Sequence, residues 1–274
     1  MNLEPSENTS IYGYKYFFNE ITGLYNNRKM PNKILLSGKK GSGKSTFVYH
    51  LVNFFLSKDE ELKYDLIENK INSENKSFRL LQNNSHPNFY LIDLLAEKKN
   101  IDVAQIRGMI SYTNKSTFNN QDRFIMIDNV EYLNKNSINA LLKIIEEPNE
   151  NIYFILINNS EKNMLPTLKS RCITFKIHFS FDETVNICNQ ILNQNILNEL
   201  NHDLINYYCT PGEIIKLVQF AEEKQINLKD HDVSSIISLI IENTYYKKNI
   251  FIKNLLINFI ELFLLKRYKK SKNK

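Results

Sequence analysis

The sequence predicts an α/β fold: a parallel, doubly wound sheet flanked by helices, followed by an all-helical region. Three observations predict it. Short apolar runs alternate with segments of helical period up to about residue 178. The first run opens into Gly38-Lys39-Lys40-Gly41-Ser42-Gly43-Lys44-Ser45, a complete G-x-x-x-x-G-K-[ST] phosphate loop. After about Phe179 the strand pattern stops and only helical periods remain.

The 274 residues are 42% hydrophobic, enough for one large domain or two to three small ones. Charged residues make up 24%, as in a globular chain rather than a disordered one. The net charge of +5 is too small to argue nucleic-acid binding by itself. Cys172, Cys188 and Cys209 are dispersed, without a C-x-x-C pair. That disfavours zinc and disulfide frameworks and suits a reducing cytoplasm. The polar, acidic residues 1–10 do not read as a signal peptide. The most apolar stretch, 250–265, is interrupted by Lys253, Asn254, Asn258 and Glu261, which argues against a bilayer span.

Taken in order, residues 11–26 have helical spacing, with Tyr14, Phe17, Phe18, Ile21 and Leu24 on one side. Ile34-Leu35-Leu36 reads as a buried strand feeding the phosphate loop, and 47–56, free of Gly and Pro, as a buried helix. Glycines Gly38, Gly41 and Gly43 let the backbone wrap closely round phosphates. The amides of Ser42, Gly43 and Thr46 surround the helix start, where partial positive charge favours an anion. Lys44 is placed to reach the β- and γ-phosphates of ATP or ADP, and the Ser45 hydroxyl to ligate Mg²⁺. Residues 62–82 read as helix plus loop. Ser85-His86-Pro87-Asn88 is a turn, in which His86 is more plausible as a structural residue than as a ligand or base.

Phe89-Tyr90-Leu91-Ile92 is a second strand, and a helix runs from Val103 through Tyr112. Phe124-Ile125-Met126-Ile127-Asp128 is a third strand ending in a carboxylate. With an upstream phosphate loop, Asp128 reads as the Walker B residue beside the Mg²⁺. Residues 136–147 form a helix closing at Pro148. Residues 152–157 form a fourth strand with Asn158 and Asn159 at its tip, and 173–177 form the last strand. In such sheets ligands bind at the carboxyl ends of the strands, where the phosphate loop, Asp128 and Asn158 fall. Helices are then expected over 182–193, 196–208, 213–223, 230–249 and 250–270, with Thr210-Pro211-Gly212 as a break. In the last helix Ile252, Leu255, Leu256, Phe259, Ile260, Phe263 and Leu264 keep a helical period. So apolar a helix must be buried, either in its own core or against another subunit. Residues 266–274 form a basic tail, either a DNA-phosphate contact or a solvated end.

Four motifs then occur in order: the phosphate loop, Asp128, Asn139-Ala140-Leu141-Leu142-Lys143 with Glu146-Glu147-Pro148, and Ser170-Arg171-Cys172. Together they closely resemble bacterial DNA polymerase III clamp-loader subunits, members of the AAA-plus ATPases. The resemblance covers residues 12–172 well and beyond that is one of layout. It implies an AAA-plus nucleotide domain over 1–178, a helical lid over 179–226 and a helical collar over 227–274. Motor subunits of the family carry a zinc-binding cysteine set between the phosphate loop and Walker B, absent here. They also carry a Glu directly after the Walker B Asp, where this chain has Asn129, an amide that cannot accept the proton as a carboxylate does. Glu131, two residues on, is expected to point elsewhere if the strand continues. Gly212 stands in place of the motors' sensor-2 Arg.

These departures favour the delta-prime branch, which is not a motor. The resemblance then assigns Arg171 as an arginine finger in trans, stabilising charge on the γ-phosphate in a neighbouring subunit. It implies as partners the delta and motor subunits, the sliding clamp and primed DNA, with a cytoplasmic location and no membrane association. The chain's own ATPase is expected to be weak or absent. Two competing readings remain. One is an autonomous AAA-plus motor. The other is a phosphate-loop small-molecule kinase, for which the sequence offers no acceptor-binding residues.

Overall fold

The computed structural model describes residues 4–115, 121–147, 151–205 and 209–272, and the chain divides into two compact units with the break after His178. Pro148 and residues 206–208 lie outside the described residues.

In the first unit the elements run α1 Lys15–Asn26, β1 Lys33–Ser37, α2 Lys44–Leu56, α3 Lys76–Gln82, β2 Phe89–Ile92, α4 Val103–Thr113 and β3 Arg123–Ile127. A 3₁₀ turn at Val130–Tyr132 follows, then α5 Lys135–Glu146, β4 Ile152–Asn158, α6 Pro166–Lys169 and β5 Ile173–Lys176. The five strands form one sheet in the order β2-β3-β4-β1-β5, every neighbouring pair parallel. This is the parallel sheet flanked by helices that the sequence predicts. Its register aligns the functional ends. Ser37 pairs with Asn158, Ile127 with Leu156, and Ile92 with Ile127, so the segments after β1, β2, β3 and β4 all emerge along one edge.

The central strands are continuous apolar runs because both faces are covered. On one face, α4 and α5 bury Ile106, Met109, Ile138, Leu141 and Ile145 against Ile125, Ile127, Phe154 and Leu156. The other face is aromatic. Phe55 stacks on Phe124 at 5.0 Å, and Phe124 stacks on Tyr153 at 5.4 Å. Phe18 meets Phe47 edge-on at 6.2 Å. Truncating a ring such as the fully buried Phe47 is expected to cost about 3–5 kcal/mol.

Helix starts follow local chemistry. Asp102 and Gln105 form a capping box at α4, and the Asn134 side chain caps α5. Where 62–82 reads as helix plus loop, the helix is confined to α3, capped by Asn75. His86 is buried; its Nδ1 accepts from the Asn88 amide at 3.1 Å and closes the turn before β2.

The second unit contains α7 Phe181–Leu192, α8 Ile196–Glu199, a 3₁₀ turn at His202–Leu204, α9 Pro211–Lys224, α10 Val233–Glu242, α11 Tyr245–Lys248 and α12 Ile250–Lys272. Capping boxes Ser180/Glu183 and Thr210/Glu213 start α7 and α9, the latter with Pro211 in its first turn.

Two expectations change here. The helix expected over 196–208 reduces to α8 and a 3₁₀ turn, with 206–208 outside the described residues. The helix expected over 230–249 ends at Glu242 because Thr244 adopts φ +54 and starts the separate α11. In α12, Ile252, Leu255 and Phe259 are buried. Ile260 and Leu264, on the expected apolar face, are 39% and 59% exposed. Burial within the unit therefore covers only the first half of that face.

Candidate functional site

The phosphate loop joins β1 to α2. Gly43, the residue before α2, has φ +85, a conformation that strains any side chain. Gly38 is fixed by crowding instead: a Cβ there would stand 2.3 Å from the Ile177 carbonyl oxygen. That oxygen is held in place because the Ile177 amide donates to Ser37 O at 2.8 Å. Behind the loop Tyr14 donates to Ser42 O at 3.0 Å and stacks on Phe47 at 4.6 Å. Ser42 is buried and donates to Lys39 O at 2.9 Å. Gly41 also has positive φ, and Thr46 is half-buried in the first turn of α2.

Lys44 is 2% exposed. Its ammonium donates to Gly38 O at 2.9 Å, Lys39 O at 2.7 Å and the Ser42 hydroxyl at 3.2 Å. Burial pulls its pKa down to about 8, against the opposing pull of Asp128 and Glu131.

Asp128 follows the last residue of β3 and is also buried. One oxygen accepts from the Ser45 hydroxyl. The other accepts from the Asn129 amide at 2.7 Å and the Asn159 carboxamide at 3.1 Å. Burial raises its pKa while these hydrogen bonds oppose the rise. A hydroxyl and a carboxylate oxygen brought together at the start of α2 are the hard oxygen donors that Mg²⁺ takes. With Lys44 and the amides of the first turn beside them, they fit a nucleotide phosphate and its metal.

The Asn129 side chain is engaged sideways. Its Nδ2 donates to Asp93 Oδ1 at 2.6 Å and its Oδ1 accepts from Asn159 Nδ2 at 3.0 Å. Asn159 thus spans Asp128 and Asn129. Asn158, singled out from sequence, turns instead to β1 and its own loop. It donates to Ser37 Oγ at 3.3 Å and accepts from the Ser160 amide at 2.9 Å.

Glu131 does not point away from the site as expected. Asn129 adopts φ +55, the strand ends, and the 3₁₀ turn brings Glu131 back under β4. Its Oε1 accepts from the Asn159 amide at 3.0 Å and the Glu161 amide at 3.4 Å. Asp93 was also not anticipated. The signal was present: Phe89–Ile92 followed by Asp93 repeats the pattern of Phe124–Ile127 followed by Asp128.

Arg171 occupies a separate corner, just after α6. Its Nε donates to Glu146 Oε1 at 3.0 Å, Nη2 lies in ion-pair contact with the same oxygen at 2.7 Å, and Nη1 donates to Thr167 O at 2.9 Å. The side chain is 38% exposed, and none of these acceptors belongs to the chain's own phosphate loop. The neighbouring Cys172 thiol is pushed up to about 11 by burial.

The curated relatives include the DNA polymerase III subunit delta' of Pseudomonas aeruginosa, 31% identical over 36% of this chain and 30% of that protein. The subunit gamma of Buchnera aphidicola is 28% identical over 82% of this chain and 62% of that protein. The subunit delta' of Bacillus subtilis is 25% identical over 77% and 62% respectively. The chain thus spans between about a third and two thirds of the length of these relatives. The family described as "DNA polymerase III, delta subunit" matches residues 14–180, more than half of the chain. On that match the chain belongs to the DNA polymerase III delta-subunit family.

Proposed function

We propose that this protein is a delta-prime-like subunit of a replicative clamp loader. It holds ATP or ADP with Mg²⁺ at Lys44, Ser45 and Asp128 and hydrolyses it slowly or not at all. It lends Arg171 to the nucleotide site of a neighbouring motor subunit. In this reading residues 179–226 act as a lid and 227–274 as a collar. The partners are the delta and motor subunits, the sliding clamp and, through the complex, primed DNA, in the cytoplasm.

The observation that carries the reading is the contrast in how two cations are held. Lys44 is enclosed by its own loop, whereas Arg171 is on the surface and bonded only to groups outside that loop. A bound triphosphate would take the place of one of the loop acceptors of Lys44. At position 129 an amide offers a polarised oxygen but no base strong enough to take a proton from water.

The test is the DNA-stimulated ATPase of the complex reconstituted with Arg171→Ala. Hydrolysis at the site this subunit serves should fall by at least about 10³-fold. A rate equal to wild type rules out the finger. The motor reading has one observation in its favour, the assembled Lys44, Ser45 and Asp128 constellation. Turnover of about 1 per second or more by the isolated chain would establish it instead.

A further inference from the structure

We propose that Glu146 is the positioning residue for the Arg171 guanidinium. The inference rests on the finger reading above. Glu146 is the last residue of α5 and Arg171 follows α6, so the contact ties together segments 25 residues apart.

The donor count gives the pair its meaning. A guanidinium has five N–H donors in a rigid plane. Glu146 Oε1 takes the Nε hydrogen and stands 2.7 Å from Nη2, and Thr167 O takes one Nη1 hydrogen. Three hydrogens remain, one on Nη1 and two on Nη2, and neighbouring terminal donors of this kind suit the oxygens of a phosphate. With two donors hydrogen-bonded and Nη2 held in the ion pair with Glu146, the fork is set before any ligand arrives.

The alternative role, stabilising the fold, is weak for this pair. Its side chains are 38% and 51% exposed, and exposed ion pairs add little to folding. Holding a long side chain in one rotamer, by contrast, removes an ordering cost that would otherwise be met in the transition state. Glu146 touches neither nucleotide nor reacting atoms. It acts through Arg171.

The experiment is a double-mutant cycle in the reconstituted complex with primed DNA, reading kcat and KM for ATP hydrolysis at the site served by Arg171. Glu146→Ala should lower kcat about tenfold with KM unchanged. Glu146→Gln, whose amide oxygen still accepts from Nε, should recover most of the rate. Glu146→Ala should cost nothing further in the Arg171→Ala background.

A Glu146→Ala complex as fast as wild type, or faster, overturns the proposal, and so does an equal loss in both backgrounds. If Arg171→Ala itself leaves the rate intact, the finger reading falls and Glu146 falls with it. If Arg171→Ala is slow and Glu146→Ala is not, only the positioning role fails. An independent reading uses the unmodified subunit. The Arg171 Nε–H should be ordered by nuclear magnetic relaxation, and mobility like that of a free surface arginine overturns the proposal even if the variants fail to fold.

Discussion

Lys44 and Arg171 are both cations proposed to meet phosphate, and the first unit holds them in contrasting ways. Lys44 is buried, with three acceptors from its own loop around one ammonium. Burial lowers its affinity for the proton. Arg171 is partly in solvent, with three donors beyond those held by Glu146 and Thr167. A guanidinium keeps its charge at any pH a protein survives. The inward cation is therefore sensitive to its own chain and to pH. The outward one is sensitive to what stands opposite it. A subunit that binds nucleotide for itself but promotes hydrolysis elsewhere needs one of each.

The comparison breaks most readily at residue 129. If hydrolysis is lacking because an amide stands there, Asn129→Glu should raise phosphate release by the isolated chain by about 10²-fold or more. The gain should not depend on Arg171, so the double variant with Arg171→Ala should hydrolyse equally fast. No gain from Asn129→Glu would mean that position 129 is not where the two sites differ. Because Asn129 donates to Asp93, the new carboxylate would also face a second carboxylate across β2 and β3. A partial gain is therefore expected to improve further with Asp93→Asn.

The strand tips were legible in the sequence because they follow from short rules. An apolar run of three or four residues, a glycine-rich loop and a terminal Asp mark β1, β3 and the edge they share. What was not legible depended on single backbone torsions. Asn129 in the left-handed region ends β3 and swings Glu131 back to the Asn159 amide, and nothing in Asp-Asn-Val-Glu announces that turn. The choice between Asn158 and Asn159 hung on whether the strand stops one residue earlier or later, since neighbouring side chains leave it on opposite faces. Thr244 divides a run of helix-forming residues for the same reason. The Glu146–Arg171 contact joins the carboxylate and the arginine of two motifs that were read separately.

A smaller effect tests how much the inward site depends on backbone rather than on charge. Gly38→Ala places a Cβ against the Ile177 carbonyl, which β1 already holds, so the end of β5 must move. The expected loss is about 1–3 kcal/mol of stability, read as a lower melting temperature, with weaker nucleotide binding as the loop is displaced. Arg171 should keep its contact with Glu146, because neither residue lies on that path. An unchanged melting temperature would show that β5 yields more easily than its hydrogen bond to Ser37 suggests.

The smallest effect is also the one that separates the two cations most cleanly. Lys44 releases its proton at about 8 in the folded chain, against an ordinary value of 10.5. Nucleotide affinity needs the ammonium, so it should be nearly flat below about pH 7 and fall about tenfold between pH 7 and 9. Stability should move the other way. Between about pH 8 and 10.5 the unfolded chain still binds this proton and the folded chain does not, so this group makes the folded state gain as pH rises. Lys44→Met should lack that contribution, which makes the difference between the two melting curves the quantity to follow. Hydrolysis promoted in trans, measured with the neighbouring site saturated, should not change over the same range, because a guanidinium keeps its charge there. A parallel fall in both activities would mean that the two sites share a titrating group.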